Sequence, residues 1–540
     1  MPAAANANIA RHLGRMALAQ PDAVALKIPR GRTPAGEIDY LALTFSELRA
    51  EVAAWEFRLT ARGIRRGDRT LLMVKPGLPL IAAAFGLFQL GAVPVIIDPG
   101  MGLKNFLAGV ARTRPRALVG LPLAQIVSRL FRRSFSSVAV RVPVSHSLVA
   151  RLPAGAVPGA AADNAPGDLA AILFTSGSTG APKGVRYEHG MFEAQIRLLR
   201  ETYGIMPGEI DLPLLPIFAL FNPALGMTSV IPEIDPRRPA AVDPAKIVQA
   251  IRQEGVTNSF GSPTLWRIIG DYCEKNRIQL PSLRRVLCAG APVPAVLWRK
   301  SADFLPKGKL HSPYGATEAL PVSSISADDV AALAGSAPPG APVGRPLVGI
   351  EARVIAVADG PIVTWAEARE LPRGEIGEIV VRGPVVTKEY DSQGAATALA
   401  KIQDGASIWH RMGDCGYLDA KGGLWFCGRK AERVQTEAGT LQTEICEQVF
   451  RTHPRAARCA LVGLGRPGGQ VPALVAETVL QGDGILVAAA LRQLALAHPA
   501  TAGIRRFYFR SKFPVDVRHN AKIHRLTLAR WAATARGYDT

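Results

Sequence analysis

The chain has 540 residues, of which 48% are hydrophobic and 20% are charged, a size that predicts about three or four domain-sized units and a large core. This composition excludes collagen, coiled coil and wholesale disorder. Lys plus Arg (64) exceed Asp plus Glu (44) by 20, which makes nucleic acid, anionic lipid and polyphosphate candidate partners. Because the basic residues occur singly or in short pairs, the sequence favours a solvated arginine-rich surface on a soluble, globular enzyme, with no nucleic-acid footprint.

Cysteine usage and hydropathy predict a cytoplasmic protein that does not cross a membrane. The six cysteines form no CxxC pair, and the N-terminus lacks the charged-then-apolar layout of a secretory signal. The most apolar run, Leu78 to Ile97, is interrupted by Pro79, Gln89, Gly91 and Pro94. We therefore expect a core helix followed by a buried strand in that run.

Strand-like and helical stretches alternate through the first part of the chain. The pattern predicts strands over Thr70–Val74 and Ala92–Ile97, and helices over Leu80–Leu90 and from about Leu103 onward. Such alternation is typical of an α/β fold with parallel strands and crossover helices. The Ala-, Gly- and Pro-rich stretch from Arg151 to Asp168 predicts a loop or linker.

A second break in the pattern lies near residue 430. Gly428 interrupts a strand-like segment, a charged cluster follows, and about 110 residues remain, enough for a small domain. We therefore predict an N-terminal domain over residues 1–431 that binds the substrates, and a C-terminal domain over residues 432–540. The hinge is expected near Glu432.

The most informative segment is a loop rich in hydroxyl groups and glycine. Ala170 to Phe174 predict a buried strand, which leads directly into the sequence TSGSTGAPKG. Hydroxyls, open backbone N–H groups and one lysine are donors that phosphate oxygens need. The spacing is not that of a Walker A loop. The candidate phosphate-binding residues are Thr175, Ser176, Gly177, Ser178, Thr179, Gly180 and Lys183.

At this loop the sequence resembles the AMP-forming acyl-adenylate ligase superfamily, and three further motifs occur in that superfamily's order. They are CAGAP at 288–292, YGATE at 314–318 and WHRMGD at 409–414. The resemblance covers nearly the whole chain. It implies a large N-terminal domain of layered parallel and mixed sheets with helices, a small mobile α+β lid, and the use of ATP with Mg²⁺. The nine histidines show no HExxH or other metal spacing, so no zinc site is predicted.

The resemblance also implies roles for particular residues. Tyr314 would stack on adenine, Thr317 would reach the α-phosphate, and Glu318 would hold Mg²⁺; an aromatic face, a hydroxyl and a hard oxygen ligand suit these tasks. The turn that packs against adenine comprises Gly290, Ala291 and Pro292. Asp414 would accept hydrogen bonds from both ribose hydroxyls, with Arg429 as a second contact. The strand motif over 373–390 is assigned to packing.

Lys522 is the candidate catalytic lysine of the C-terminal domain. Related ligases have a Gly-Lys pair near the chain end, where this chain has Ala521 and Lys522, and Glu432 stands where a hinge aspartate is common. Attack of a carboxylate on the α-phosphate brings two anions together, and a cation between them offsets the repulsion. We expect Lys522 to matter more for adenylate formation than for nucleotide binding.

A further resemblance concerns the fate of the adenylate. Phe218 and Ala219 occupy a region where many members have a histidine. The sequence resembles the olefin β-lactone synthetase (OleC-type) branch in three places: this segment, residues 231–236 and the C-terminal tail. That implies a 2-alkyl-3-hydroxy fatty acid substrate whose own hydroxyl closes a β-lactone ring. It also implies a β-lactone decarboxylase and an NADPH-dependent reductase as pathway partners. The apolar residues 217–230 are a candidate wall of the acyl pocket.

Alternatives remain open at this point. A long-chain fatty acyl-CoA ligase would share the first half-reaction and every nucleotide residue named above. A nonenzymatic, charge-driven binder of nucleic acid or membrane surfaces fits the net charge but not the phosphate loop. His189 and His311 are interpreted as structural histidines, so neither is assigned as the base for lactonisation.

Overall fold

The computed structural model describes residues 6–144, 157–175, 182–235, 238, 241–333, 338–515 and 522–540. Up to residue 203 the elements are α1 (Arg11–Ala19), β1 (Val24–Arg32), β2 (Ile38–Thr44), α2 (Phe45–Ala61), β3 (Arg69–Met73), α3 (Leu78–Leu90), β4 (Val93–Ile96), α4 (Leu103–Thr113), β5 (Ala117–Gly120), α5 (Pro122–Leu130), β6 (Val140–Pro143), β7 (Leu169–Thr175), β8 (Lys183–Glu188) and α6 (His189–Tyr203).

The middle of the chain supplies most of the large sheet. Its elements are β9 (Ile210–Asp211), α7 (Asn222–Leu225), β10 (Thr228–Val230), α8 (Pro244–Glu254), β11 (Asn258–Gly261), α9 (Pro263–Lys275), β12 (Arg285–Cys288), α10 (Ala295–Phe304), β13 (Lys309–Ala316), β14 (Ala319–Ser326), α11 (Ala327–Ala332), β15 (Ala341–Pro346), β16 (Glu351–Ile355), β17 (Gly377–Arg382), α12 (Gly394–Ala400), β18 (Lys401–Asp404), β19 (Ser407–Leu418) and β20 (Leu424–Arg429).

The C-terminal part contains β21 (Val434–Thr436), β22 (Gly439–Leu441), α13 (Thr443–Phe450), β23 (Cys459–Leu464), β24 (Val471–Glu477), α14 (Gly484–Leu496), β25 (Arg506–Arg510), α15 (Arg525–Ala532) and β26 (Tyr538–Asp539). Strands β23 to β26 form a four-stranded sheet. It has its own core, which includes Phe450, Leu474 and Phe507. The α/β fold with a smaller C-terminal sheet domain is confirmed, whereas the boundary at Glu432 and the mobility of the lid stay predictions.

A six-stranded sheet with the order β6-β5-β3-β4-β7-β8 carries the phosphate loop. Its neighbours pair in parallel except β7 and β8. Strand β5 is buried along its whole length, as expected for a parallel strand covered on both faces. Helix α3 is buried on most sides and ends at Gly91, whose φ of 73° is left-handed. The predicted alternation of strands and helices in this region is confirmed.

The fourteen-stranded sheet positions the remaining candidate residues. Strands β11, β12 and β13 run parallel, so their carboxyl ends lie at the same edge. Ligands of open α/β sheets bind at such edges. From β13 onward the sheet is antiparallel, and it brings β19 and β20 alongside each other. No helix in the described ranges is both long and apolar enough to cross a membrane.

Candidate functional site

Tyr314, Asp414 and Arg429 meet although they come from three different strands. Asp414 pairs with Arg429 across β19 and β20. The Arg429 guanidinium donates to Asp414 Oδ1 and the Tyr314 hydroxyl donates to Oδ2, each at 2.6 Å. Asp414 is only 4% exposed. Since each carboxylate oxygen has two lone pairs, one on each oxygen remains for a further donor such as a sugar hydroxyl.

The electrostatics of this trio fix the protonation state of the tyrosine. Burial, together with the negative charge of Asp414, raises the pKa of Tyr314 well above its usual value. The same carboxylate raises the pKa of Arg429. Tyr314 therefore remains a neutral hydrogen-bond donor and Arg429 a cation at neutral pH, so Asp414 is held in one orientation before any ligand arrives.

The turn containing Gly290, Ala291 and Pro292 lies beside Tyr314. The turn follows β12, which pairs in parallel with β13, so both reach the same sheet edge. Gly290 has a φ of 98°, a left-handed conformation that favours glycine. A Cβ on Gly315 would lie 2.5 Å from the carbonyl oxygen of Ala319, which explains the glycine where β13 turns back into β14.

Thr317 and Glu318 form the turn between β13 and β14. Two tyrosine hydroxyls donate hydrogen bonds to this turn. The Tyr390 hydroxyl donates to Glu318 Oε1 at 2.7 Å, and the Tyr187 hydroxyl donates to the carbonyl of Thr317. Lys183 Nζ lies 4.7 Å from the centre of the Tyr390 ring, in cation–π geometry. The structure thus brings together the lysine of the phosphate loop and the turn with the predicted metal ligand.

Most of the phosphate loop itself is outside the described residues. This applies to Ser176, Gly177, Ser178, Thr179 and Gly180. The two ends of the loop are fixed, because Thr175 at the end of β7 pairs with Lys183 at the start of β8. Arg112 donates to the carbonyl of Pro182 at 2.8 Å. The loop therefore starts and ends at the sheet edge next to Tyr390.

Lys401 is a buried amine that sequence reasoning missed. It is 8% exposed, and its Nζ donates to the carbonyl and to the hydroxyl of Thr387, the latter at 3.2 Å. The backbone N–H of Thr387 in turn donates to the carbonyl of Glu318 at 2.9 Å. Burial lowers the pKa of Lys401 to about 7, against the opposing effect of the Glu318 charge. Lys401 thus supports the turn at Glu318 indirectly, through Thr387.

Lys522 lies in the C-terminal part, just before helix α15. Arg525, three residues further along, donates to Glu432 Oε2 at 3.0 Å and to the two carboxylate oxygens of Glu447 at 2.8 Å each. Both glutamates are buried. The segment that carries Lys522 is therefore tied by buried ion pairs to the predicted hinge residue.

The candidate wall of the acyl pocket is held by aromatic stacking and a buried carboxyl. Phe218 stacks on Phe260 with ring centres 3.7 Å apart, and Phe260 lies next to the carboxyl end of β11. Asn222, which lies within the candidate wall, donates to Asp211 Oδ2 at 2.8 Å. Burial raises the pKa of Asp211 to about 7. These contacts place an apolar surface beside the sheet edge that carries the candidate nucleotide-binding residues.

The two histidines near the site are poorly suited to act as bases. Burial lowers the pKa of His189 to about 4, and its ring packs edge-on against Phe88 with centres 6.2 Å apart. Burial likewise lowers the pKa of His311, whose ring packs against Tyr203. These contacts give both side chains packing roles, in keeping with their structural interpretation.

The AMP-binding enzyme family matches residues 14–391. The chain belongs to that family and is an AMP-forming ligase. It is 45% identical to an olefin beta-lactone synthetase of Xanthomonas campestris pv. campestris over 98% of both chains. It is 44% identical to an olefin beta-lactone synthetase of Stenotrophomonas maltophilia over 97% of this chain and 98% of that one.

Similarity to a solved structure agrees with this fold. The crystal structure of ATP-bound MatB from Rhodopseudomonas palustris matches with a TM-score of 0.79 and 22% identity, over 98% of this chain and 99% of that chain. The family match and the two curated relatives confirm the predicted superfamily resemblance. The roles of the individual residues stay predictions.

Asp414→Asn is expected to weaken AMP binding by roughly ten- to a hundredfold, because hydrogen bonds to a charged acceptor are stronger than those to a neutral amide. Isothermal titration calorimetry with AMP measures the change. Asp359→Asn, at a carboxylate that is 73% exposed, serves as the matched control. Unchanged AMP affinity in a folded Asp414→Asn variant would contradict the assignment; thermal melting establishes that it is folded.

Proposed function

We propose that the chain is an ATP-dependent β-lactone synthetase of long-chain olefin biosynthesis. It adenylates a 2-alkyl-3-hydroxyalkanoic acid and cyclises it to a cis-3,4-dialkyl β-lactone, with release of AMP and pyrophosphate. The observation that carries this proposal is the 45% identity to an olefin beta-lactone synthetase over 98% of both chains. The described contacts support it with a nucleotide-type site beside an apolar wall.

In the first half-reaction the nucleotide residues orient ATP. Tyr314 offers its ring to adenine, and Asp414 accepts hydrogen bonds from the ribose. The phosphate loop and Lys183 bind the phosphates, and Thr317 donates to the α-phosphate. Lys522 places a cation between the two anions as the substrate carboxylate attacks the α-phosphorus and pyrophosphate leaves.

Glu318 is the proposed magnesium ligand, and its surroundings fit that role. Its Oε1 accepts from the neutral Tyr390 hydroxyl, so the carboxylate is oriented without being neutralised by a partner cation in that contact. Magnesium is held by one or two carboxylates together with substrate phosphates. The bound metal would neutralise charge on the phosphate oxygens.

In the second half-reaction the 3-hydroxyl oxygen of the substrate bonds to the acyl carbon. The bond from that carbon to the bridging oxygen of the mixed anhydride breaks, AMP leaves with the electron pair, and the hydroxyl proton is released. Nucleophile and electrophile are in one molecule, so the protein needs only to orient them. The wall around Phe218 and Phe260 supplies an apolar surface for the alkyl chains.

The product analysis that tests this proposal uses ATP, Mg²⁺ and one defined 2-alkyl-3-hydroxy acid, with and without CoA. We expect β-lactone, AMP and pyrophosphate without CoA, identified by NMR after mild isolation, because β-lactones lose CO₂ on heating. The matched 2-alkyl acid without the hydroxyl should yield adenylate and no lactone. A thioester formed only with CoA, with no lactone in its absence, would instead establish the acyl-CoA ligase alternative.

The chemistry of substrate and product also suggests neighbouring reactions. A reductase that uses NADPH supplies the 3-hydroxyl group, and a β-lactone decarboxylase consumes the strained ring. We propose that the chain acts in the cytoplasm in complex with such enzymes. Co-purification of the three proteins, followed by size-exclusion chromatography, tests the complex.

A further inference from the structure

One segment of the chain concentrates positive charge. Between Asp98 and Asp163 there is no acidic residue, whereas the same segment contains nine Lys or Arg residues. A net charge of +20 over the whole chain is therefore distributed unevenly. The segment includes helices α4 and α5, which pack on the same face of the six-stranded sheet through Phe106 and Val127.

Helix α5 exposes a stripe of large apolar side chains. Leu123 is 65% exposed, Ile126 59% and Leu130 73%. At 100° per residue these positions fall within about 60° of one another on the helix. Residues on the opposite face, including Ala124 and Ser128, are buried against the sheet. Contiguous exposed apolar patches rimmed by polar residues are typical of interaction sites.

Basic side chains border this stripe. Arg129, Arg132 and Arg133 are exposed, and none of them forms a salt bridge with a described carboxylate. At the start of α4, Leu103 is 54% exposed and is followed by the exposed Lys104. We call these groups the α4–α5 surface; its members are Leu103, Lys104, Leu123, Ile126, Arg129, Leu130, Arg132 and Arg133.

We propose that the α4–α5 surface docks onto an anionic lipid bilayer. An interfacial helix places its apolar stripe below the headgroups while neighbouring arginines contact lipid phosphates. A nucleic acid or an acidic polypeptide would satisfy the arginines but leave Leu123, Ile126 and Leu130 in water. The occupant that matches both the charge and the apolar stripe is thus a membrane surface. This inference does not depend on the proposed reaction.

Vesicle co-sedimentation of the full chain tests the proposal, with phosphatidylcholine vesicles that contain or lack phosphatidylglycerol. We expect binding to the anionic vesicles that decreases with salt. The variant R129Q/R132Q/R133Q should bind about a hundredfold more weakly, since each arginine near the surface contributes about 1 kcal/mol, which is about a factor of five. The variant L123S/I126S/L130S should also bind at least about tenfold more weakly, although its net charge is unchanged.

A matched control is R299Q/R369Q/R536Q, which removes three exposed arginines elsewhere. It should retain most of the binding. Equal losses in this control and in R129Q/R132Q/R133Q would overturn the proposal, because they would show diffuse charge attraction. So would absence of vesicle binding, or unaltered binding by L123S/I126S/L130S. Unchanged pyrophosphate exchange in the surface variants confirms that they are folded, and this readout separates the docking result from the proposed function.

Discussion

Lys522→Ala is expected to slow formation of the acyl-adenylate by about two to three orders of magnitude. In its proposed role the ammonium group would stabilise charge that develops as carboxylate and α-phosphate approach, an interaction that is stronger in the transition state than in the ground state. Affinity for AMP should therefore stay within about twofold. Rapid-quench measurement of pyrophosphate release gives the rate, and calorimetry with AMP gives the affinity.

Lys512→Ala provides the matched control, since Lys512 is an exposed lysine in the same C-terminal part. It should leave both measurements unchanged. A Lys522→Ala variant that forms adenylate at the normal rate, or that loses AMP affinity and rate to the same extent, would show that Lys522 does not act on the transition state.

Glu318→Gln is expected to lower the adenylation rate by about two to three orders of magnitude at fixed Mg²⁺, because an amide is a far weaker ligand for a hard cation. Raising the Mg²⁺ concentration should restore part of the rate. Tyr390→Phe, which removes only the hydrogen bond to Glu318 Oε1, should cost about tenfold or less. The adenylation rates of the unchanged chain and of the two variants are measured at increasing Mg²⁺ concentrations.

Glu389→Gln is the control for charge, since the Glu389 carboxylate is 51% exposed. Its Mg²⁺ dependence should match that of the unchanged chain. If Glu318→Gln lowered the rate without any shift in the Mg²⁺ requirement, Glu318 would be a support for the turn and not a metal ligand.

The sequence predicts those parts of the molecule that depend on residues close together in the chain. Buried parallel strands such as β3 and β4 appear as short apolar runs, because both faces are covered. The helix before β4 is bounded by Gly77 and Gly91, and glycine allows the left-handed conformation at its end. The phosphate loop is equally local, since its hydroxyls and glycines are consecutive.

The supporting contacts of the site are not local and leave no periodic signal. Tyr390 reaches Glu318 and Tyr187 reaches Thr317 only after the two sheets have packed together. Lys401 follows an alanine-rich helix, where a lysine is ordinarily solvated, yet it is buried. The order of the motifs is visible in the sequence because the family shares it, whereas the side chains that support the motifs come together only in the folded protein.

The ion pairs of Arg525 have a mechanical consequence. Breaking a buried ion pair costs about 3–5 kcal/mol. The ion pair of Arg525 with Glu432 therefore links Glu432 rigidly to the stretch around Lys522. If the C-terminal part rotates about the predicted hinge, we therefore expect Glu432 and the stretch around Lys522 to move together. Because Arg429 lies three residues before Glu432 and donates to Asp414, we expect such a rotation to disturb the proposed ribose contact and to favour release of AMP.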